Sequence, residues 1–173
     1  MNFIEYVKDN IVILDGALGT PEAVRILPVV RTLAEQWHGD VAYTQDTHGA
    51  DYAATQEGKF LPVPHCIRGT RGWEIVPEVR TGKSARIFEK GTFGSVALAE
   101  YAREYDEVAL CGVCTDICVV SNALLIKAFS PETTICCVTN ACAGTSPAAH
   151  EAALETMRSC QVQLVSSAHL LIR

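Results

Sequence analysis

The sequence predicts an α/β three-layer sandwich of the Rossmann type, a mostly parallel sheet with helices on both faces. Three observations predict it. Short β-branched or apolar runs alternate with longer helical segments from end to end. Two helices open on a cap followed by proline, Thr20-Pro21 and Ser146-Pro147. Acidic, basic, imidazole and thiol side chains fall immediately after the strand-like runs, on the rim where parallel sheets bind ligands.

In order, Asn10 to Asp15 is a β-branched run ending in an acid, and Gly16 to Gly19 turns the chain. This run is the expected first strand. The competing choice, Phe3 to Val7, puts Glu5 in a central strand and leaves Ile11 to Leu14 in a loop. Thr20-Pro21-Glu22 starts a helix to about Trp37, adjusted at Pro28 and ended by Gly39. Asp40 to Thr44 is a strand closing on Gln45-Asp46-Thr47-His48. From Gly49 to Gly82 the chain is irregular, and a loop this long inside a compact domain is usually functional. Ala85 to Glu89 is a strand leading to Lys90-Gly-Thr-Phe-Gly-Ser95, and Val96 to Tyr105 is a helix. Val108 to Val113 is the central strand. Thr115 or Asp116 is expected to cap the next helix, which Ser130-Pro131 stops, so Cys118 falls in its first turn. Thr133 to Thr139, a helix from Ser146-Pro147 to Ser159, and a strand from Val162 to Ser166 complete the pattern.

The 173 residues, 49% hydrophobic and 20% charged, are expected to form one domain over 1–173, with 1–14 atypical. A net charge of −6 argues against nucleic acid as a partner. No run reaches the ~20 apolar residues of a membrane span, and MNFIEYVKDN lacks a signal-peptide core. Most of the eight cysteines sit in apolar strand-like runs. With no secretion signal they are expected to be reduced and the protein cytoplasmic. Cys111-x-x-Cys114 has zinc or redox spacing, but no second such pair completes a site. A homo-oligomer is compatible with the sequence.

Asp15, Asp46, His48, Lys90 and Cys118 all follow expected strands and so share one rim. At a helix N-terminus, exposed N–H groups and the helix dipole favour a thiolate at Cys118. Lys90 nearby would stabilise that thiolate, an Asp would carry its proton, and backbone N–H groups at the turn would hold an oxyanion. Asp46-x-His48 with His65 supplies a carboxylate and two imidazoles, a set suited to zinc, iron or manganese. Phe93 and Trp73 are candidates for the walls of a substrate pocket.

Leu110-Cys-Gly-Val-Cys-Thr-Asp-Ile-Cys118, Lys90-Gly-Thr-Phe-Gly-Ser95, and Asp46-Thr-His48 with Pro64-His65-Cys-Ile-Arg-Gly-Thr70 resemble one family. It is the cysteine hydrolase, or isochorismatase-like, superfamily, in its nicotinamidase/pyrazinamidase branch, and the likeness runs from Asp15 onward. The resemblance implies hydrolysis of nicotinamide to nicotinate and ammonia, a step of NAD salvage. It makes Cys118 the nucleophile and Lys90 the thiolate partner. Asp46, His48 and His65 would bind one divalent metal, zinc before iron or manganese, holding the pyridine nitrogen. It also implies a cis peptide between Val113 and Cys114, with the N–H groups of Cys114 and Cys118 as oxyanion hole.

The front departs from the family, whose first strand runs into Asp-x-Gln-x-Asp-Phe with a catalytic first Asp. Here Asp15, at the end of the expected first strand, is the first candidate for that acid and Asp9 the second. The alternatives are a hydrolase of another small amide or carbamoyl compound, or an impaired relative acting in binding or thiol redox sensing.

Overall fold

The computed structural model describes residues 2–8, 20–80 and 84–171. Six strands form one sheet: β1 Asn2–Lys8, β2 Asp40–Asp46, β3 Ala85–Lys90, β4 Glu107–Val113, β5 Thr134–Ala143 and β6 Gln163–Val165. Their order is β3-β2-β1-β4-β5-β6, and every neighbouring pair is parallel. The helices are α1 Pro21–Gln36, α2 Gln56–Phe60, α3 Val96–Ala102, α4 Val120–Phe129, α5 Pro147–Ser159 and α6 Ser167–Leu171.

The chain steps outward from β1 to β2 and β3, then returns across β1 and steps the other way through β4, β5 and β6. Right-handed crossovers therefore put α1 on one face and α3, α4 and α5 on the other. The packing agrees, since α1 contacts β5, β4 and α6, whereas α3, α4 and α5 contact one another in sequence. The reversal between β1 and β4 is a topological switch point, where crevices open beyond the carboxyl ends of the strands.

The local signals explain most elements. Thr20 Oγ1 accepts from Ala23 N at 3.1 Å at the start of α1, and Ser146 Oγ accepts from Ala149 N at 3.1 Å at the start of α5. Pro28 stays inside α1. Val108, Ala109 and Leu110 of β4 are fully buried, as expected of a strand covered on both faces. Leu33, Leu98, Ile126, Ile135 and Met157 fill the core on either side. All eight cysteines lie in the described residues, and no disulfide joins them. Among the described residues no helix is long and apolar enough to cross a membrane.

Two expectations are corrected. The first described strand is Asn2–Lys8, the range that contains the competing choice Phe3 to Val7, and it lies at the centre of the sheet, pairing with both β2 and β4; the run Asn10 to Asp15 lies outside the described residues. The ladder is made by backbone groups, so the hydrophobic pattern around Glu5 was a poor guide to it. Asp15 and Asp9 both lie outside the described residues. In the sequence Asp9 follows Lys8, the last residue of β1, directly. The second correction concerns the turn after β4. It is a wide π-type turn over Thr115–Val119 whose start has no side-chain cap, so neither Thr115 nor Asp116 caps it.

Candidate active site

Asp46 and Lys90 are cross-strand partners at the carboxyl ends of β2 and β3. In-register residues of a parallel pair point to the same face, so strand register alone brings these two side chains together. The pairing continues one step further, with Thr47 N donating to Lys90 O at 2.8 Å. Both side chains are buried, and the Lys90 ammonium is in direct contact with Asp46 Oδ1.

Cys118 arrives from the other side of β1. Gly112, with φ of 120°, is in a backbone region that favours glycine, and it falls where the β4–β5 register shifts. The next peptide, Val113–Cys114, is cis. Cys114 O then accepts from both Ile117 N and Val119 N at 3.1 Å, which closes the turn carrying Cys118. Cys118 Sγ ends 3.4 Å from Lys90 Nζ and 3.9 Å from Asp46 Oδ2, and the thiol is fully buried. Lys90 Nζ also donates to Thr92 O at 3.2 Å. One ammonium thus faces a carboxylate and a thiol in a site of low solvent access, where a charge pair is worth far more than in water.

A second link fixes this geometry. Asn122, buried in α4 one turn beyond Cys118, accepts from Ser95 N at 2.8 Å, and Ser95 Oγ caps α3 through Leu98 N at 3.2 Å. The Lys90 loop is therefore tied to the helix that follows the thiol. Sequence reasoning passed over Asn122, because an Asn inside an apolar helix carries no chemical signature of its own.

The imidazoles gather beside this group. His48 N donates to Cys66 O and Arg68 N donates to His48 O, both at 2.9 Å, so a short parallel bridge brings residues 65–68 alongside His48. His65 Nδ1 is 2.9 Å from Val63 O. Since a carbonyl only accepts, Nδ1 carries a proton and Nε2 is left to face the cluster, the orientation usual in metal-ligating histidines. His48, His65 and Tyr52 pack ring against ring at 4.9–5.0 Å.

Glu57 joins this group, and sequence reasoning missed it. Its Oε1 lies 3.4 Å from His65 Nε2 and 3.6 Å from His48 Nε2. Thr55 holds the short α2 that carries it, accepting from Gly58 N at 3.0 Å and donating to Tyr52 O at 2.7 Å. The only signal was an acid in a capped first turn within the long functional loop, which is also the commonest helix-start pattern. The donor atoms of His48, His65 and Cys66 also lie within 4.8 Å of one another. Asp46 lies against Lys90 and Cys118, as its distances give.

Two imidazole nitrogens and a carboxylate oxygen converging in a buried site fit a divalent metal of the zinc type. Burial pushes the Tyr52 phenol up from its ordinary range, with Glu57 adding to the effect, so it remains a neutral donor to Leu61 O at 2.9 Å.

Trp73 is half-buried, with Nε1 donating to Thr47 Oγ1 at 2.8 Å and its carbonyl accepting from Gln45. The Arg68 guanidinium stacks 5.6 Å from its ring centre. Phe93, in the loop after Lys90, is 44% exposed.

The family model for the Isochorismatase domain matches residues 3–169. Nicotinamidase/pyrazinamidase of Mycobacterium tuberculosis is 30% identical over 158 residues, covering 78% of this chain and 80% of that protein. Pyrazinamidase of Pyrococcus horikoshii, solved in complex with zinc, superposes with a TM-score of 0.82 at 25% identity, over 95% of this chain and 98% of that one. An Acinetobacter baumanii nicotinamidase/pyrazinamidase superposes with a TM-score of 0.83 at 24% identity, over 98% of this chain and 97% of that one.

Proposed function

The chain belongs to the isochorismatase family, and from that premise we propose that it is an amidohydrolase converting nicotinamide to nicotinate and ammonia. The observation that carries the proposal is the Cys118 thiol 3.4 Å from the buried Lys90 ammonium, beside the imidazole and carboxylate cluster.

In this reading the ammonium stabilises Cys118 as thiolate, which attacks the carboxamide carbon. The N–H groups of Cys114 and Cys118 receive the developing oxyanion, each good donor being worth ~3–4 kcal/mol. An acid of the front segment takes the thiol proton and gives it to the departing ammonia as the C–N bond breaks. Asp9 is the first candidate for this acid and Asp15 the second. Water then attacks the thioester, loses a proton to the same acid, and releases nicotinate and the thiol. A divalent metal, zinc in the first instance, would be held by His48, His65 and Glu57, with Asp46 from the motif beside them. When bound it supplies a Lewis-acid anchor for the pyridine nitrogen. Trp73 and Phe93 flank the ring.

The test is ammonia release from nicotinamide by metal-loaded protein, beside chelated protein and Cys118→Ala, Asp9→Asn and Asp15→Asn. Turnover lost on chelation, in Cys118→Ala and in one of the two Asp variants is the expected result. No turnover, with Cys118 still alkylating rapidly, refutes the nicotinamide assignment and favours another amide or a binding role.

A further inference from the structure

Thr115 and Asp116, each expected from the sequence to cap its own helix, both reach sideways to the segment 144–150 that opens α5. Thr115 is fully buried, and its Oγ1 is hydrogen-bonded to His150 Nδ1 at 2.8 Å. Asp116 accepts from Thr145 N at 2.9 Å and from Thr145 Oγ1 at 2.6 Å. Ser146 and Pro147 fix where α5 begins, and so put His150 one turn inside it, with His150 N donating to Ser146 O at 2.9 Å. Gly144 permits the close approach. A Cβ there would meet Asp116 Oδ1 at 2.8 Å and the His150 backbone N at 2.9 Å.

The turn that carries Cys118 is closed locally by Val120 N donating to Thr115 O and Ile117 O and by Ser121 Oγ donating to Ile117 O at 2.6 Å, none of which reaches beyond its own helix. It is a π-type turn in which one carbonyl, Cys114 O, takes two donors, and no side chain caps its start. Its direction relative to Lys90, on the far side of β1, depends on lateral contacts as well: the Asn122–Ser95 link on one side, and the contacts of Thr115 and Asp116 with 144–150 on the other.

We propose that His150, acting through Thr115, is a positioning residue for the nucleophile turn. It holds the turn in the orientation that keeps Cys118 Sγ against Lys90 and aims the turn's N–H groups at one point. His150 is half-buried and lines a cleft of about 360 Å3 with Arg25 and Glu151, so its side chain can be replaced without opening the core. The effect on turnover rests on the amidase reading above, but the effect on the thiol does not.

The experiment measures two things in Thr115→Val, His150→Leu, the double variant and His150→Asn. The first is the rate of Cys118 alkylation by iodoacetamide at neutral pH, which needs no substrate. The second is kcat and KM for nicotinamide. Thr115→Val exchanges a hydroxyl for a methyl group at constant volume, and His150→Asn keeps a polar atom near the Nδ1 position. Both hydrogen-bond deletions should slow alkylation and lower kcat on the order of 10- to 100-fold, with KM nearly unchanged. The double variant should be no worse than the worse single one. His150→Asn should restore most of the loss.

Wild-type alkylation in folded Thr115→Val overturns the proposal, as do multiplying single effects or a loss that appears in KM alone. If no variant of the protein, nor the wild type, turns over nicotinamide, the alkylation series still decides the role of His150. If His150→Leu fails to fold, Thr115→Val and His150→Asn carry the same comparison.

Discussion

Replacing Lys90 by methionine keeps the stem and removes the charge, and so isolates what the ammonium does. At 3.4 Å, and with an effective dielectric of about 20, the Lys90–Cys118 thiolate attraction is about 5 kcal/mol. The Asp46 carboxylate, 3.9 Å from the same sulfur, opposes it with about 4 kcal/mol on the same scale. In the wild type the two nearly cancel. In Lys90→Met only the repulsion remains. Relaxation of neighbouring groups will soften this, so about 4 kcal/mol is taken as the effective loss, or roughly 10³-fold in rate. The assay is kcat/KM for nicotinamide beside the pH dependence of Cys118 alkylation, with Lys90→Arg as the charge-keeping control. Breaking a buried ion pair also costs about 3–5 kcal/mol of stability. Thermal melting must therefore show that Lys90→Met remains folded at the assay temperature. A folded Lys90→Met that alkylates at the wild-type rate and keeps turnover within tenfold would refute the electrostatic reasoning.

Glu57→Gln keeps the shape of the side chain and removes its charge, and should weaken divalent metal binding by at least ~10²-fold, measured by elemental analysis after dialysis against graded metal buffers. Asp46→Asn in the same series shows how much of the affinity Asp46 supplies. Metal at about 100 times its Kd should stabilise the wild type by about 2.7 kcal/mol, read as a rise in Tm that a chelator reverses and Glu57→Gln largely lacks. Cys142 offers an internal contrast to Cys118. Its hydrogen bond with Cys137 at 3.8 Å and its burial push the thiol well above the ordinary range. Peptide mapping after brief iodoacetamide treatment at pH near 8 should find Cys118 modified and Cys142 untouched, with Cys142 reacting only in denaturant.

What the sequence determined was mostly local. Helix starts were legible because cap, proline and first-turn acid act within four residues, and α1 and α5 begin where Thr20-Pro21 and Ser146-Pro147 put them. The rim position of Asp46, Lys90 and Cys118 followed from strand ends in a parallel sheet, and parallel register then set Asp46 beside Lys90. Three matters were decided only by tertiary structure. The central strand is Asn2–Lys8, paired through its backbone with β2 and β4, a pairing that side-chain pattern does not encode. Glu57 meets His48 and His65 because a parallel bridge near Ile67 folds the long loop back on itself, a contact no spacing encodes. Thr115 and Asp116 grip α5 rather than cap their own helix because the turn after the cis peptide is too wide for a cap and Gly144 leaves room for their approach. Local chemistry chose the residues, and long-range packing chose their partners.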